Sequence, residues 1–336
     1  MKTKHVNIPV FIPELACPFQ CVFCNQQKIS GQQHIPDILE IRNKIEEYLG
    51  SIDFQKTSVQ IAFFGGSFTA LPIIEQKKYL EIAYDYLKKY PVDGIRISTR
   101  PDYINTDNLQ ILRDYGVRNI ELGAQSLDDE VLKTSGRGHS VAQVEEAMRL
   151  LKKYNFETGL QMMIGLPGDT NEKALATANK IIELGAEETR IYPTLVIAGT
   201  VLHSMFLKNN YKVLTLEEAR RITAQIYLLF IGAKVKVLRV GLHPSTELES
   251  GKSLVAGPFH PKFKELVMSY IWNEKLQNIP IHASDKILNL KVHPSQLNFA
   301  IGFESENRNL LQQTFLKVNF KPDSTLETFE FRYDIC

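Results

Sequence analysis

The sequence contains few cysteines, almost no net charge and no long hydrophobic run. Only 4 of its 336 residues are cysteine, which is too few for a disulfide framework in a chain of this length. The formal net charge of +1 gives no overall basic field of the kind that marks many nucleic-acid-binding proteins. Pro9, Pro13 and Glu14 interrupt the apolar run that a signal peptide needs, and no later run is long enough to span a membrane. These absences predict a cytoplasmic protein. If the protein binds nucleic acid, it must do so through a local site.

Three of the four cysteines lie together in the segment CPFQCVFC, as Cys17, Cys21 and Cys24. A structural zinc site usually takes four Cys or His ligands, and no second pair follows, so zinc fits this segment poorly. A cubane iron–sulfur cluster normally takes four thiolates, and three would leave one iron open to an external ligand. The alternative is that these are small buried side chains. Cys336 is expected to be a terminal thiol rather than a fourth ligand.

Strand-like runs alternate with helical patterns over the first 200 residues. The predicted strands are VNIPVFI, SVQIAFFGG, GIRISTRP, NIELGAQS, GLQMMIGLP and ETRIYPTLV. Helical periodicity occurs between them, for example in SVAQVEEAMRLLKKY, where Ser140 is the predicted N-cap. This alternation predicts an α/β fold with a parallel sheet, either doubly wound or a complete or partial TIM-type barrel. Because the C-terminal ends of parallel strands share one edge, one pocket is expected to include the cysteine segment, Gly65-Gly66-Ser67, Ser98, Arg100 and Gln125.

Several motifs together carry a family resemblance. CPFQCVFC resembles the CxxxCxxC signature of the radical S-adenosylmethionine (SAM) superfamily, and FFGGSFTAL resembles its glycine motif. ELGAQSLDDEVLKTSGRGHS and MMIGLPGDT resemble segments shared by oxygen-independent coproporphyrinogen oxidases and the Elongator catalytic subunit. The similar segments run from about residue 5 to residue 200. The resemblance implies a TIM-like partial barrel, a 4Fe-4S cluster, SAM as the source of a 5′-deoxyadenosyl radical, and an electron donor of the flavodoxin or ferredoxin type.

The same resemblance implies roles for individual residues. Cys17, Cys21 and Cys24 are expected to ligate the cluster. The residues expected to contact SAM are Phe23, Gly65, Gly66, Ser67, Ser98, Gln125, Arg137 and Gln161. The glycine motif would receive the methionine amino group, because Gly65 and Gly66 have no Cβ to prevent close approach. Gln125 would lie near the ribose, and Arg137 could meet the carboxylate with two parallel hydrogen bonds. Phe23 either faces the adenine or belongs to the core.

Two departures separate the chain from the families it resembles. Ser98 and Gln161 stand where the porphyrinogen oxidases carry acidic residues, and these neutral side chains are weaker hydrogen-bond acceptors than carboxylates. TRPDY is more similar to the Elongator subunit, yet that subunit spaces its cysteines differently and carries an acetyltransferase domain. No glycine-rich acetyl-CoA loop follows residue 240. Neither named activity is therefore assigned from sequence.

The sequence changes character after residue 240. A linking segment and a helix are predicted over 241–278, where His243 and His260 are either substrate contacts or solvated loop residues. The run KILNLKVHPSQLNFAIGFESENRNLLQQTFLKVNF predicts strand, short helix, glycine turn, helix and strand, an order that resembles a KH-type RNA-binding module. Its GxxG loop is half present, because Gly302 is followed by Phe303, Glu304 and Ser305. A KH-like fold used for packing or dimerisation is the alternative. The predicted domains are 1–240, 241–278 and 279–336.

Basic residues are locally in excess in this last part of the chain. Lys286, Lys291, Arg308, Lys317 and Lys321 outnumber Asp285, Glu304 and Glu306. The sequence as a whole predicts a radical SAM enzyme that modifies RNA, with tRNA as the first choice of substrate. One alternative is a radical SAM enzyme acting on a small molecule such as a tetrapyrrole. The other is an RNA-binding protein that keeps the cluster as a structural or redox element.

Overall fold

The computed structural model describes residues 4–12, 21–25, 28, 36–242, 246–280 and 286–336. Strands in these ranges form three sheets. The largest sheet contains β1 (Lys4–Ile12), β2 (Thr57–Gly65), β3 (Gly94–Thr99), β4 (Val117–Gln125), β5 (Glu157–Ile164), β6 (Glu188–Pro193) and β8 (Lys236–Val240). A short pair contains β7 (Val196–Ile197) and β9 (Leu254–Ala256), and the third sheet contains β10 (Ile287–Val292), β11 (Lys317–Pro322) and β12 (Phe331–Ile335).

Helices follow most of the strands. The α-helices are α1 (Ile38–Ser51), α2 (Ile73–Lys89), α3 (Thr106–Asp114), α4 (Asp129–Thr134), α5 (Val141–Lys153), α6 (Asn171–Glu183), α7 (Val201–Leu207), α8 (Leu216–Gly232), α9 (Thr246–Glu249), α10 (Phe263–Leu276), α11 (Leu297–Ile301) and α12 (Glu306–Gln312). Short 3-10 turns occur at Phe68–Ala70, Pro101–Tyr103, Pro294–Gln296 and Phe303–Ser305. The predicted cap of α5 is confirmed, because the Ser140 side chain accepts a hydrogen bond from the Gln143 N–H in a capping box.

The large sheet is an open parallel sheet that curls into a half-barrel. Its strand order is β1-β2-β3-β4-β5-β6-β8, and every neighbouring pair is parallel. The predicted α/β fold, a TIM-like partial barrel, is confirmed. Strand β8, which sequence analysis did not identify, is short and lies at one edge of the sheet. All the strands therefore present their C-terminal ends at a single edge.

The strands of the half-barrel bury one face against the helices. Apolar side chains alternate along each strand on that face, as Ile61 and Phe63 in β2 and Ile120 and Leu122 in β4 illustrate. Burying each such side chain contributes about 1.5–3 kcal/mol. The opposite face of each strand points into the interior of the half-barrel and carries mostly polar residues. The apolar core therefore lies between the sheet and the helices, and the polar side chains line the interior of the half-barrel.

The C-terminal part of the chain forms a small α+β unit. Its sheet has the order β11-β10-β12, with β10 parallel to β11 and antiparallel to β12. The fully buried Trp272 of α10 packs against this unit and donates its Nε1–H to Gln296 Oε1 at 3.1 Å. The predicted order of strand, helix, glycine turn, helix and strand is confirmed, and β12 is an additional strand. None of the helices in the described ranges is both long enough and apolar enough to cross a membrane.

Candidate active site

Cys21 and Cys24 lie on one turn at the C-terminal edge of the half-barrel. The Cys24 N–H donates to the Cys21 carbonyl oxygen at 3.1 Å, which closes the turn between them. The Val22 N–H donates to the Ser135 carbonyl at 3.1 Å, and the Val22 carbonyl accepts from the Leu202 N–H of α7 at 2.7 Å. The turn is therefore held by two separate parts of the chain, one of which immediately precedes Arg137.

The side chain of Arg137 connects this cysteine turn to strand β4. Arg137 is buried, with 7% of its surface exposed. Its Nη1 donates to Cys21 Sγ at 3.2 Å, and its Nη2 donates to the Gly123 carbonyl at 2.5 Å. Within the described ranges, its buried Nε has no hydrogen-bond partner and the guanidinium forms no ion pair. A buried cation with a spare donor is therefore available to an anionic group beside the cysteines.

A hydrogen-bonded chain links Arg137 to the glycine motif after β2. Arg100 Nη2 donates to the Arg137 carbonyl at 2.6 Å, while its guanidinium makes a two-point ion pair with Asp102 at 2.9 Å for each hydrogen bond. The Arg100 N–H donates to Ser67 Oγ at 3.2 Å, and Ser67 Oγ lies 2.9 Å from Thr99 Oγ1. The structure thus brings the predicted residues Ser67 and Arg137 into one network.

The two glycines before Ser67 allow strands β1 and β2 to approach each other closely at their ends. Gly65 has φ +106°, and a Cβ at this position would lie 2.1 Å from the Ile12 carbonyl oxygen. The Gly66 N–H donates to the same oxygen at 2.8 Å. A side chain at Gly65 would therefore displace the end of β1, from which the chain continues to the cysteine segment.

Gln125 and Gln161 meet across neighbouring strands. Gln161 Nε2 donates to Gln125 Oε1 at 3.2 Å, and Gln125 is buried with an unusual φ of +66°. A Cβ at Gly123 would lie 3.0 Å from both Gln125 Nε2 and Arg137 Nη2, so these two side chains flank the same glycine. Ser98 is half-buried on the adjacent strand β3. The strand ends therefore gather the polar residues that sequence analysis selected.

Phe23 lies in an apolar cluster beside the turn. Its ring is 9% exposed. The other buried members of the cluster are Cys21, Val131, Leu166, Val196, Leu202 and Tyr211. This packing accounts for an aromatic residue at position 23, and the predicted contact with adenine stays a prediction.

Other predicted site residues lie elsewhere. Cys17 and His243 fall outside the described residues. His260 Nδ1 accepts from the Lys262 N–H at 3.1 Å, and its ring meets the Phe303 ring edge-on at 5.4 Å between centroids. His260 therefore packs against the small C-terminal unit. Cys336 follows β12 on the C-terminal sheet and is exposed.

His139 lies buried close to Arg137 and was not selected from sequence. Its Nε2 lies 3.3 Å from the Ala124 carbonyl, and no partner for its Nδ1 occurs among the described residues. Burial, followed by the charges of Arg137 and Arg100, lowers the pKa of His139 to about 3. The imidazole is therefore neutral at physiological pH and adds no charge beside Arg137.

A second titratable group follows β5. Asp169 Oδ2 accepts from the Gly165 N–H at 2.8 Å, and the Gly165 carbonyl accepts from the Tyr211 hydroxyl at 2.6 Å. Burial raises the pKa of Asp169 to about 6. This carboxyl group therefore changes its charge within the pH range in which the isolated protein can be studied.

The interior of the half-barrel contains an ion-pair network. Glu121 accepts from Arg96 Nη1 at 2.6 Å and from Arg190 Nε and Nη2 at 2.7 and 2.9 Å. Arg96, only 1% exposed, also lies 2.7 Å from Glu188, and the Arg190 guanidinium lies 5.2 Å from the centre of the Phe64 ring. Sequence analysis missed these residues. The available signal was a charged residue flanked by β-branched or apolar residues within the predicted strands GIRIST, NIELG and ETRIYP.

Known proteins resemble the chain over much of its length. A tRNA uridine(34) acetyltransferase of Dehalococcoides mccartyi is 28% identical over 237 residues, which are 61% of this chain and 52% of that protein. Human Elongator complex protein 3 is 28% identical over 251 residues, which are 69% of this chain and 45% of that protein. The chain thus spans about half the length of these curated relatives.

Solved structures share the fold. The Elp3 of Methanocaldococcus infernus, lacking residues 1–46, superposes with a TM-score of 0.66 and 22% identity, covering 85% of this chain and 66% of that one. HydG, a maturase of [FeFe]-hydrogenase, gives a TM-score of 0.54 and 15% identity, covering 79% of this chain and 55% of that one. At these identities the likeness concerns the fold alone.

Family models cover most of the chain. A Radical_SAM C-terminal domain matches residues 186–273. The Radical SAM superfamily matches residues 12–181, half of the 336 residues. This match includes Cys17, Cys21 and Cys24, the glycine motif and Arg137. The chain therefore belongs to the radical SAM superfamily, whose members are enzymes that use a 4Fe-4S cluster and S-adenosylmethionine.

Proposed function

We propose that this enzyme modifies RNA, and that tRNA is its substrate class. The chemistry is carried by one observation, the buried Arg137 guanidinium, which contacts Cys21 Sγ at 3.2 Å and has a spare donor at Nε. The substrate class is supported by the tRNA uridine(34) acetyltransferase of Dehalococcoides mccartyi, which matches this chain over 61% of its length. The name of that relative also mentions acetyl transfer, which is not part of the proposal. The residues on which the proposal rests are those of the radical SAM site.

The residues at the strand ends fit a cluster with SAM bound to it. The sulfurs of Cys21 and Cys24 belong to one turn, and Cys17 would supply the third ligand. A thiolate at Cys21, the form in which cysteine binds iron, would accept a charge-assisted hydrogen bond from Arg137. A cluster held by three cysteines keeps one iron open for an external ligand. Polar groups that could hold such a ligand surround the turn.

The protein's own residues would bind and orient SAM. Gly65, Gly66 and Ser67 would receive the methionine amino group, and Arg137 would meet the carboxylate. The remaining contacts would be made by Phe23 at the adenine, by Gln125 and Ser98 near the ribose, and by Gln161. When bound, the cluster and SAM supply one-electron chemistry and a 5′-deoxyadenosyl radical. The apolar cluster around Phe23 would exclude water from that radical.

The interior ion-pair network would close the half-barrel beneath this site. Glu121 hydrogen-bonds both Arg96 and Arg190, and together with Glu188 beside Arg96 it offsets their charges, so these strands are fixed relative to one another. A substrate would enter from the open edge, where the C-terminal strand ends lie. A cytoplasmic location and an electron donor of the flavodoxin or ferredoxin type complete the proposal.

The proposal is tested by incubating anaerobically reconstituted protein with SAM, dithionite and unfractionated tRNA. Nucleosides are then analysed by mass spectrometry, and 5′-deoxyadenosine is quantified. We expect a new modified nucleoside, and 5′-deoxyadenosine release that increases when tRNA is present. A Cys24→Ala variant is the matched control and should give neither product.

Two results would favour the alternatives. Release that responds to a small-molecule extract but not to RNA would contradict an RNA substrate and favour a small-molecule enzyme. A bound cluster that never cleaves SAM would favour a structural or redox role. Either result would overturn the proposed function.

A further inference from the structure

Three cations form a row across the outer face of the C-terminal sheet. Lys291 in the central strand β10 lies opposite Lys321 in the parallel strand β11 and opposite Arg332 in the antiparallel strand β12. All three side chains are exposed. Neighbouring strands in a sheet are about 4.8 Å apart, so three positive charges stand side by side on one surface.

The described carboxylates do not pair with this row. None of the described acidic side chains forms an ion pair within 4.0 Å of Lys291, Lys321 or Arg332. Hydrogen bonds from Thr325 engage Asp323 and, with the charges of Arg332 and Lys291, lower its pKa. Asp334 accepts from Asn289 at 2.8 Å, and this hydrogen bond, together with the charges of Lys291 and Lys321, lowers its pKa. Like charges directly opposite each other in a sheet are destabilising, and two nearby carboxylates offset the three cations only in part, so this face keeps an excess of positive charge.

The rest of this face is polar and lacks stacking side chains. The next row contains Asn319, Asn289 and Asp334, and Asn319 Nδ2 donates to Asn289 Oδ1 at 2.9 Å. The aromatic residues Phe320, Phe331 and Tyr333 alternate to the opposite face of the sheet, where Phe331 packs against the buried Trp272. A face with three cations, two amides and a single carboxylate, but no exposed rings, suits phosphate and sugar contacts and is unsuited to stacking on bases.

The glycine turn of this unit is used for internal packing. The Phe303 N–H donates to Ser269 Oγ at 2.7 Å. Glu306 forms an ion pair with Arg220 at 3.3 Å, and a Cβ at Gly302 would lie 2.7 Å from the Asn307 nitrogen. This turn therefore offers acidic side chains and an occupied N–H group where a KH-type module would clamp the nucleotide backbone.

We propose that Lys291, Lys321 and Arg332 bind the phosphate backbone of the RNA substrate. The partner follows from charge complementarity: the chain as a whole carries a net charge of only +1, yet on this face three cations outnumber the two nearby carboxylates, Asp323 and Asp334. None of the three cations forms a direct ion pair with a described residue. The contact positions RNA and does not read its sequence. The identity of the partner rests on the proposed function, whereas the location of the contact rests on the sheet alone.

The test compares two triple variants by fluorescence anisotropy between 50 and 200 mM KCl. One variant carries Lys291→Gln, Lys321→Gln and Arg332→Gln. The control removes three exposed lysines from helices of the half-barrel, as Lys77→Gln and Lys89→Gln in α2 and Lys153→Gln in α5. Binding is measured with a labelled 20-nucleotide oligo(U) and, by competition, with unfractionated tRNA.

Each lost single-strand phosphate contact reduces the slope of log K against log salt by about 0.7. The sheet variant is expected to lose about two units of slope. Raising the salt fourfold lowers the affinity of both proteins for RNA. The factor by which it falls should be roughly 20 times larger for the wild type than for the sheet variant. The control variant should keep the wild-type slope. Equal slopes in the wild type and the sheet variant would overturn the proposal.

A second measurement separates RNA binding from a structural role. Because Lys291 is repelled by a cation on each side and attracted by Asp323 and Asp334, Lys291→Gln should change the thermal unfolding midpoint little, while it weakens RNA binding. A lower midpoint with unchanged RNA binding would make the lysine structural and overturn the proposal. Release of 5′-deoxyadenosine without RNA should be the same in all variants.

The two proposals can fail separately. A modified tRNA nucleoside together with an unchanged salt slope would leave the proposed function standing and reject the cation row. If the wild-type protein binds neither oligo(U) nor tRNA, both proposals fail.

Discussion

Replacing Arg137 is the most direct test of the proposed active site. Arg137→Met keeps a side chain of similar length but removes the donors to Cys21 Sγ and to the Gly123 carbonyl. A hydrogen bond to a charged group is worth about 1.5–3 kcal/mol. Since 1.4 kcal/mol corresponds to a factor of ten in affinity, loss of one such bond to the SAM carboxylate should weaken SAM binding roughly 10- to 140-fold.

The same substitution should have a small effect on the stability of the protein without its cluster. Leaving the Gly123 carbonyl without its donor costs about 1–3 kcal/mol. Removing a buried cation that has no carboxylate partner among the described residues acts in the opposite direction, by a similar amount. The two effects largely cancel, and the free energy of unfolding is therefore expected to change by no more than about 2 kcal/mol.

Anaerobic isothermal titration of SAM into the reconstituted protein measures the first effect, and urea unfolding measures the second. Iron content must be determined in parallel, because Arg137 also contacts Cys21. Arg149→Met, which changes an arginine whose side chain is 62% exposed on α5, is the matched control and should bind SAM normally. An Arg137→Met variant that retains iron and binds SAM with wild-type affinity would refute the carboxylate role. Loss of iron without folding damage would assign Arg137 to the cluster instead.

Three further predictions concern the cluster, the backbone and the electrostatics. Reconstituted wild-type protein should hold about four irons per chain; Cys24→Ala should abolish this iron by colorimetric assay and Cys336→Ala should not. Gly65→Ala should lower the free energy of unfolding, measured by urea unfolding, by about 1–3 kcal/mol or more. The reason is that residue 65 has φ +106° and that a Cβ there would clash with the backbone of Ile12. Gly232→Ala, where a Cβ meets nothing within 4 Å, should not do so. Since the folded pKa of Asp169 is raised to about 6, folded protein binds more protons than unfolded protein from about pH 4 to pH 6 and is destabilised as pH rises. The stability of Asp169→Asn relative to wild type should therefore increase as the pH rises from about 4 to about 6. A difference between the two urea midpoints that stays constant over this pH interval would contradict the prediction.

The half-barrel was predictable from sequence because each of its first six strands carries a local signal. Apolar alternation, a polar or glycine stop and a following amphipathic helix recur from β1 to β6, and Ser140 marks the start of α5. The strands that were missed have weaker signals. Strand β8 is short and half-buried at an edge, and β12 exposes Arg332, Tyr333 and Asp334 in succession. Edge strands with a solvated face show little of the alternation by which strands are identified.

Motifs in the sequence were enough to select Cys21 and Arg137 as candidate site residues, whose roles stay predictions. Their mutual contact was not predictable, because 116 positions of chain separate these two residues. The contact depends on how the segment before Arg137 docks on the cysteine turn. The interior network was missed for the same reason, since Glu121 and Arg190 lie 69 positions apart on strands β4 and β6. The first contact arises from loop docking and the second from the arrangement of strands, and no local pattern specifies either.

The distribution of partners among the buried arginines is a physical argument for an anionic ligand at the cysteine turn. Arg96 pairs with Glu121 and Glu188, and Arg100 pairs with Asp102. In the part of the chain that the structure describes, Arg137 is the buried arginine whose contacts are a sulfur and a carbonyl, with no carboxylate. An uncompensated buried charge is strongly destabilising, and a fold that neutralises its other buried arginines has no structural need for this one. A thiolate-bound cluster and a ligand carboxylate would supply the missing negative charge. Among the described residues, Arg137 therefore keeps a charge that a bound anionic group would offset.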